Sequence, residues 1–586
     1  MHSVRQSQSF QARAIDVVRK FVQTVVVVDD HAFTEVVTVE HPEVLIPPNN
    51  AEPISAAGED SPGGVPDGPV ERESTALSVD AVRPSGQQPS DGRFDQAVVT
   101  ADEGVIGSAG EVDVTLDARK LIQLYAREGV FCAVVEPTAQ GEAWRTDTLA
   151  AAARADIVIL DWVLHHDAGD RAIELIREIV QHEHGCRLRL ILIYTGSPDT
   201  SNIASRIYSG CGTTLEREDD FTLVGQHLRI VVLAKESTVT VRTGNAVRLD
   251  DLPDRTFMEF ARITAGLVSN VALNGISVLR ENTHVLLARL HPELDPPFLT
   301  HRLLLPNPDD AVDFAADLVA QEVASLFHGF QIGTVAGSDA IKAWLEKDGG
   351  RLTPANAPKL NIDSIEKAQA LLERGSVVWA RENLPGDDER RAFEEEAHRS
   401  ATALFAVSRA RAADLDREFA YRASMVERYS AAEPSPVLTL GATLQEVGSE
   451  DFYVCIQPPC DCVRIKEKRR FFFLSSRENN RPNLIVFNGA KLMRLLVGDG
   501  VKDLREIKFE PNSHGVVEAT LQDEVYVFAD SDGKRYIWRG QMKFPQAQRL
   551  ANQFGANLCR VGLDESEWLR RWSRSSRTVS AEFKSE

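Results

Sequence analysis

Apolar residues in the first 240 positions fall into short unbroken runs separated by stretches of helical spacing. The runs are TVVVV (24–28), VFCAVV (130–135), DIVILD (156–161), RLRLILIYTG (187–196) and LRIVVLAK (228–235). Continuous β-branched residues suit strands buried on both faces, the habit of a parallel sheet. Between the runs, residues 8–22 are helix-like, and a helix of about four turns is expected from an N-cap at Thr115, with Leu121, Leu124 and Tyr125 on one face and Gly129 as its stop. TLAAAARA (148–155), the Ala172, Leu175, Ile176 and Ile179 stripe, and NIASRIYSG supply three more helices. Alternating strands and helices predict an α/β fold, a doubly wound five-stranded parallel sheet with right-handed crossovers. Such sheets bind ligands beyond the carboxyl ends of their strands.

The pattern changes twice more. Residues 41–112 are rich in Pro, Gly, Ser and acid and cannot bury enough apolar surface to offset their ordering entropy, so a disordered insertion is expected there. After residue 240, FMEFARITAGLV, DDAVDFAADLVAQEVASLF (capped by Asp309 or Asp310) and SIEKAQALLERG have helical periods, and 386–430 reads as a charged amphipathic helix or pair of helices. From Ser435 short strands return, with an Asp532-Gly533 hairpin signal and two closing amphipathic helices, the second at ESEWLRRW. The expected organisation is three regions: 1–240 α/β, 241–434 helical and 435–586 α+β.

Composition narrows the class. At 586 residues the chain exceeds what one core supports. A formal net charge of -22 disfavours nucleic-acid binding by the surface as a whole. Seven cysteines without framework spacing suit a reducing compartment. With no signal-like start and no apolar run near ~20 residues, a cytoplasmic protein without membrane contact is expected.

The chemistry gathers at the strand ends. Asp29 and Asp30 close the first run, Asp161 the third, Thr195 the fourth and Lys235 the fifth. Three carboxylates at one edge would raise one another's pKa unless a cation sat among them. Mg²⁺ is the simplest such cation, held by carboxylates, a carbonyl and water. Asp161 is then placed to attack a phosphoryl group, with Lys235 neutralising charge and the Thr195 hydroxyl donating to a phosphoryl oxygen.

VVVVDD, DWVLHHDAGDRAIELI, LIYTG and VVLAK, in that order, resemble a response-regulator receiver domain. The resemblance implies a flavodoxin-like fold, a metal site of Asp29, Asp30, Asp161 and the Val163 carbonyl, phosphorylation of Asp161 by a partner histidine kinase, and Thr195 and Lys235 reading the phosphoryl group. The aromatic that this family often carries three positions before the lysine is Val232 here, and its usual proline after the lysine is Glu236. The expected function is a phosphorylation-controlled two-component signalling protein that relays its state to its C-terminal region and an output partner. The alternative is a degenerate receiver acting as a scaffold that binds protein or DNA constitutively, as in a bacterial stress or phage-defence module.

The remaining candidates carry less chemistry. His398, on a charged face, is either a phosphotransfer histidine or a solvated one. Cys455, Cys460 and Cys462, with His514 as a fourth group, invite zinc but lack a CxxC pair. RIKEKRRFFFL mixes cations with aromatics, as a nucleic-acid surface does and as a strand with one solvated face does. No nucleophile elbow, Walker loop or HExxH occurs after the first region, so no catalysis is expected beyond the receiver's own phosphorylation and dephosphorylation.

Overall fold

The computed structural model describes residues 9–30, 32, 116–137, 143–165, 167–181, 188–197, 199–212, 215–225, 227–236, 245–346, 352–428 and 433–558. The 41–112 insertion and the ESEWLRRW helix lie outside the described residues. By its contacts the chain divides into two compact units: Thr24–Arg255, and the residues before Thr24 together with those from Thr256 onward.

The first elements are α1 (Phe10–Phe21), β1 (Thr24–Val28), α2 (Ala118–Arg127), β2 (Phe131–Val135), α3 (Ala143–Arg154), β3 (Ile157–Leu160), α4 (Asp170–Gln181), β4 (Arg189–Thr195) and α5 (Thr200–Cys211). They are followed by β5 (Glu216–Arg217), β6 (Thr222–Val224), β7 (Leu228–Lys235) and β8 (Ala246–Val247). The sheet runs β2-β1-β3-β4-β7-β6-β5, with β8 added beside β7. The first five strands in that order are parallel, as the apolar runs predict.

The expected five-stranded sheet is too small. Among the described residues eight strands form a mixed sheet: the segment between α5 and β7 adds the β5-β6 hairpin, antiparallel to β7, and β8 pairs parallel with β7. Val26, Val158, Ile191 and Ile230 meet α3, α4 and α5 on one face. Val25, Ile157 and Leu190, which alternate with them, are also buried. Thr115 lies outside the described residues. The N-cap of α2 is Asp117, whose carboxylate accepts from the Lys120 N–H at 2.8 Å.

The second unit holds α1 and the helices α6 (Leu252–Ile263), α7 (Leu267–Glu281), α8 (Thr283–Arg289), α9 (Asp295–Leu304), α10 (Asp310–Gly329), α11 (Ser338–Glu346), α12 (Ile365–Asn383), α13 (Asp387–Ser400) and α14 (Arg409–Ser424), with α6 beginning at the boundary. Asp309 stands at the N-cap of α10 but does not cap it with its side chain; its carboxylate pairs with Arg302 at 2.9 Å. Gly375, at φ 77°, kinks α12 into two helical segments. The 386–430 stretch is the pair of helices α13 and α14, between which Ala403, Leu404 and Ala406 enter the local core. No single described helix is long and apolar enough to cross a membrane; segments 249–263 and 267–281 reach that composition only as a pair bent by 118°.

The chain closes with β9 (Met425–Val426), β10 (Ala442–Glu446), β11 (Phe452–Cys455), β12 (Arg469–Glu478), β13 (Leu484–Phe487), β14 (Leu492–Val497), β15 (Leu504–Phe509), β16 (Thr520–Gln522), β17 (Val525–Ala529), β18 (Arg535–Met542) and α15 (Phe544–Leu558). These ten strands form one antiparallel sheet. Phe471, Phe473, Phe509 and Phe528 fill one side, and Ala547 and Phe554 of α15 lie among Val454, Leu474 and Val486 on the other. Strands β9 and β14 were not expected; β14 (LMRLLV) does not alternate clearly enough to be read as a strand.

Candidate functional site

The parallel register decides which side chains meet. The Asp161 N–H donates to the Val28 carbonyl at 2.9 Å, and the Asp29 N–H to the Val135 carbonyl at 3.3 Å, so the two carboxylates leave adjacent strands at the same height. Lys235 ends β7 and sends its ammonium to both: Nζ lies 3.5 Å from Asp29 Oδ2 and 3.5 Å from Asp161 Oδ1. All three side chains are nearly buried, Lys235 at 7% exposure and Asp161 at 11%. Thr195, at the end of β4, is buried, and its Oγ1 accepts from the Ser197 N–H at 3.1 Å.

Asp161 is under electrostatic strain. Burial pushes its carboxyl up to about 6; Lys235 pulls the other way, Asp29 adds repulsion, and the Val163 N–H, 3.3 Å from Oδ2, lowers it a little. Its Oδ1 is buried, with the Lys235 ammonium 3.5 Å away. A buried carboxylate oxygen with spare lone pairs beside a second carboxylate is the donor chemistry a hard cation seeks.

Asp30, next in the chain after Asp29, also reaches the loop after β3. Its carboxylate is engaged by the His165 backbone N–H, and the His165 Nδ1 lies 3.4 Å from the same oxygen. Asp29 and Asp161 thus share the Lys235 ammonium, and Asp30 also bonds to the loop after β3. Among the described residues no group of three or more His, Cys, Asp or Glu side chains is placed to hold a metal. The Asp29, Asp30 and Asp161 carboxylates and the Val163 carbonyl are the oxygen donors that Mg²⁺ asks of a protein, since that ion keeps several waters.

The loop after Asp161 is shaped by residues that sequence reasoning passed over. Asp167 accepts from the backbone N–H groups of Leu164 (3.3 Å), Gly169 (3.0 Å) and Arg171 (2.7 Å), folding 164–171 around one carboxylate. His165 sits at φ 54°, in the left-handed region, where its N–H meets Asp30. Gly169 has φ 97°, and a Cβ there would lie 2.2 Å from the buried Trp162 ring. Arg206 of α5 lies over that ring at 5.1 Å and binds Asp170 at 2.9 Å. The one available sequence signal was the Asp-x-Gly turn pattern in HHDAGD.

Val232 is buried in the sheet core among Val26 and Ile193. Tyr194 fills space beside Lys235, whose Nζ is 5.7 Å from its ring centre, and its hydroxyl donates to the Val247 carbonyl at 3.1 Å.

Residues 21–240 match the family model of the response receiver domain. The chain carries a receiver domain fused to additional regions. No curated protein and no solved structure matches the chain. A receiver places the protein in response-regulator-type signalling and implies a flavodoxin-like α/β fold, here with the extra hairpin and β8.

The other candidates remain dispersed. His398 lies exposed on α13. Cys455 and Cys462 are buried in the C-terminal core and Cys460 is exposed, so the three do not converge on His514. Burial pushes the Cys455 thiol far up, while a hydrogen bond with Cys455 lowers Cys462. In RIKEKRRFFFL, Phe471 and Phe473 point into the core and Phe472 is exposed, the solvated-strand pattern. Lys468, Arg469 and Arg470 pair with Glu510 (3.2 Å), Asp461 (3.1 Å) and Glu506 (3.0 Å), which reduces the positive charge available to a phosphate backbone.

Proposed function

We propose that Asp161 accepts a phosphoryl group from a partner histidine kinase and that the receiver relays this state to the rest of the chain. The observation that carries the reading is the buried Lys235 ammonium shared between Asp29 and Asp161, 3.5 Å from each. At neutral pH Asp161 is mostly ionised. One of its oxygens attacks the phosphorus, the P–N bond of the donor histidine breaks, and an acyl phosphate forms. Lys235 then moves its charge from the carboxylate to the phosphoryl oxygens, and Thr195 exchanges its local role for a hydrogen bond to the same group. Asp29, Asp30, Asp161 and the Val163 carbonyl would hold Mg²⁺. When bound, the ion neutralises charge on the phosphoryl oxygens. Kinases and output proteins are the partner classes this reading calls for.

The test is incubation of the full chain with Mg²⁺ and a small phosphodonor, followed by intact-mass measurement. One acid-labile phosphoryl group, lost in Asp161→Asn and without Mg²⁺, is expected. The degenerate-receiver reading has one observation in its favour, the commitment of Asp30 to His165. An unmodified wild-type chain, together with partner binding indifferent to phosphodonor, would establish that reading instead.

A further inference from the structure

The chemistry of Asp161, Thr195 and Lys235 leaves β8 without a role, although this short strand borders the reactive edge. Ala246 and Val247 pair parallel with Ala234 and Lys235, and the Ala234 N–H donates to the Asn245 carbonyl at 3.0 Å. β8 therefore lies against the strand end from which the Lys235 ammonium reaches Asp29 and Asp161. Two buried hydrogen bonds tie it to the end of β4 and the start of α5. The hydroxyl of Tyr194, the residue before Thr195, donates to the Val247 carbonyl at 3.1 Å, and the Asn245 side-chain amide donates to the Thr200 hydroxyl at 2.7 Å.

These bonds grip β8 from both faces of the sheet. Ile193 belongs to the layer that holds α5, so Tyr194, next along the extended strand, projects from the opposite face, while Thr200 is the first residue of α5 itself. Asn245 and Tyr194 are 3% and 5% exposed, so bulk water does not replace a lost partner. The hydroxyl bond also fixes the Tyr194 ring, whose centre lies 5.7 Å from Lys235 Nζ, within reach of a cation–π contact. Beyond β8, the turn Leu249–Asp251 is fastened to α2 by the Lys120–Asp250 ion pair at 2.8 Å. The strand is thus anchored at each end as well as on each face.

We propose that Tyr194 and Asn245 are positioning residues for phosphoryl transfer, which hold through β8 the two strand ends from which Thr195 and Lys235 act. The inference rests on the reading of Asp161 as the phosphoryl acceptor. In that reaction the protein contributes mainly geometry and charge, so the placement of the ammonium and the hydroxyl sets the rate. A lysine side chain has many rotamers of its own; here the paired backbone of β8 fixes its root and the Tyr194 ring walls its tip. Thr195 stands on the turn that runs from Tyr194 through Ser197 to the Asp199 cap of α5, and that turn is pinned to β8 at Tyr194 and again at Thr200. Neither Tyr194 nor Asn245 touches the reacting atoms. Each acts through the residue it places.

The test uses the full-length chain with Mg²⁺ and a concentration series of phosphoramidate, initial rates being read by intact mass and folding by circular dichroism of the same samples. Tyr194→Phe and Asn245→Ala should each lower the maximal rate about tenfold, the size of one lost buried hydrogen bond, and leave the half-saturating donor concentration within about twofold. Thr200→Val should match Asn245→Ala, and Thr200→Ser, which keeps the hydroxyl, should match the wild type. Without donor, hydrogen exchange in a peptide covering 245–251 should quicken in Asn245→Ala and Thr200→Val and stay unchanged in Thr200→Ser. Wild-type rates in both Tyr194→Phe and Asn245→Ala, an effect on half-saturation alone, Thr200→Ser as slow as Thr200→Val, or exchange unmoved by every variant would overturn the proposal and leave phosphorylation of Asp161 standing. A wild-type chain that takes up no phosphoryl group overturns the reading beneath it and the proposal with it.

Discussion

Asp161→Asn should make the receiver unit more stable at neutral pH, although it removes the residue on which the proposed chemistry rests. The Asp161 carboxyl is held at about 6 against an ordinary 3.8. An acid whose folded pKa is raised binds protons more readily when folded, so stability falls as pH rises through that interval. Below the ordinary value both states are protonated and nothing is lost. Above pH 6 the cost has fully developed, about 3 kcal/mol at ~1.4 kcal/mol per tenfold change in proton affinity. Asparagine mimics the protonated carboxyl in shape and removes this cost, while Lys235 retains Asp29. The expected gain without divalent cations is about 3 kcal/mol at pH 7.5 and about 1 kcal/mol at pH 4.5. Urea unfolding equilibrated at each pH, then read by a brief hydrogen-exchange pulse on peptides covering 157–165 and 228–235, isolates this unit from the rest of the chain. Millimolar Mg²⁺ should close the gap by stabilising only the wild type. A variant no more stable than wild type at pH 7.5, or one with a gain equal at both pH values, would refute the argument.

Lys235→Met should cost the unit about 3–5 kcal/mol in the same assay, since it removes the cation between two buried carboxylates, and adding Asp161→Asn should restore part of the loss. Gly169→Val should destabilise the unit by more than about 2 kcal/mol, because φ 97° disfavours any side chain and the Trp162 ring occupies the Cβ position; circular dichroism and the same urea series report it. Iodoacetamide should alkylate exposed Cys460 in the native chain and reach buried Cys455 and Cys462 only in urea, as read by tandem mass spectrometry of the 452–464 peptide.

The apolar runs were sufficient for the five parallel strands, since β-branched stretches buried on both faces have few other uses, and for the residues that end them. The β5-β6 hairpin was not legible: ER and TLV are too short to carry a pattern, and β7 supplies their pairing. The same holds for β14, recognisable as a strand only beside β12 and β13. In the candidate site, Asp29, Asp161, Thr195 and Lys235 could be named from position because strand direction sets which residues reach the carboxyl edge. Asp30 could not be separated from Asp29. Adjacent residues on an extended backbone diverge, and their different fates depend on His165, 135 positions away. The local order of side chains thus determined the sheet and its reactive edge. Contacts distant in sequence decided that a lysine bridges two carboxylates and a backbone N–H holds the third, because burial and short-range electrostatics act between neighbours in space.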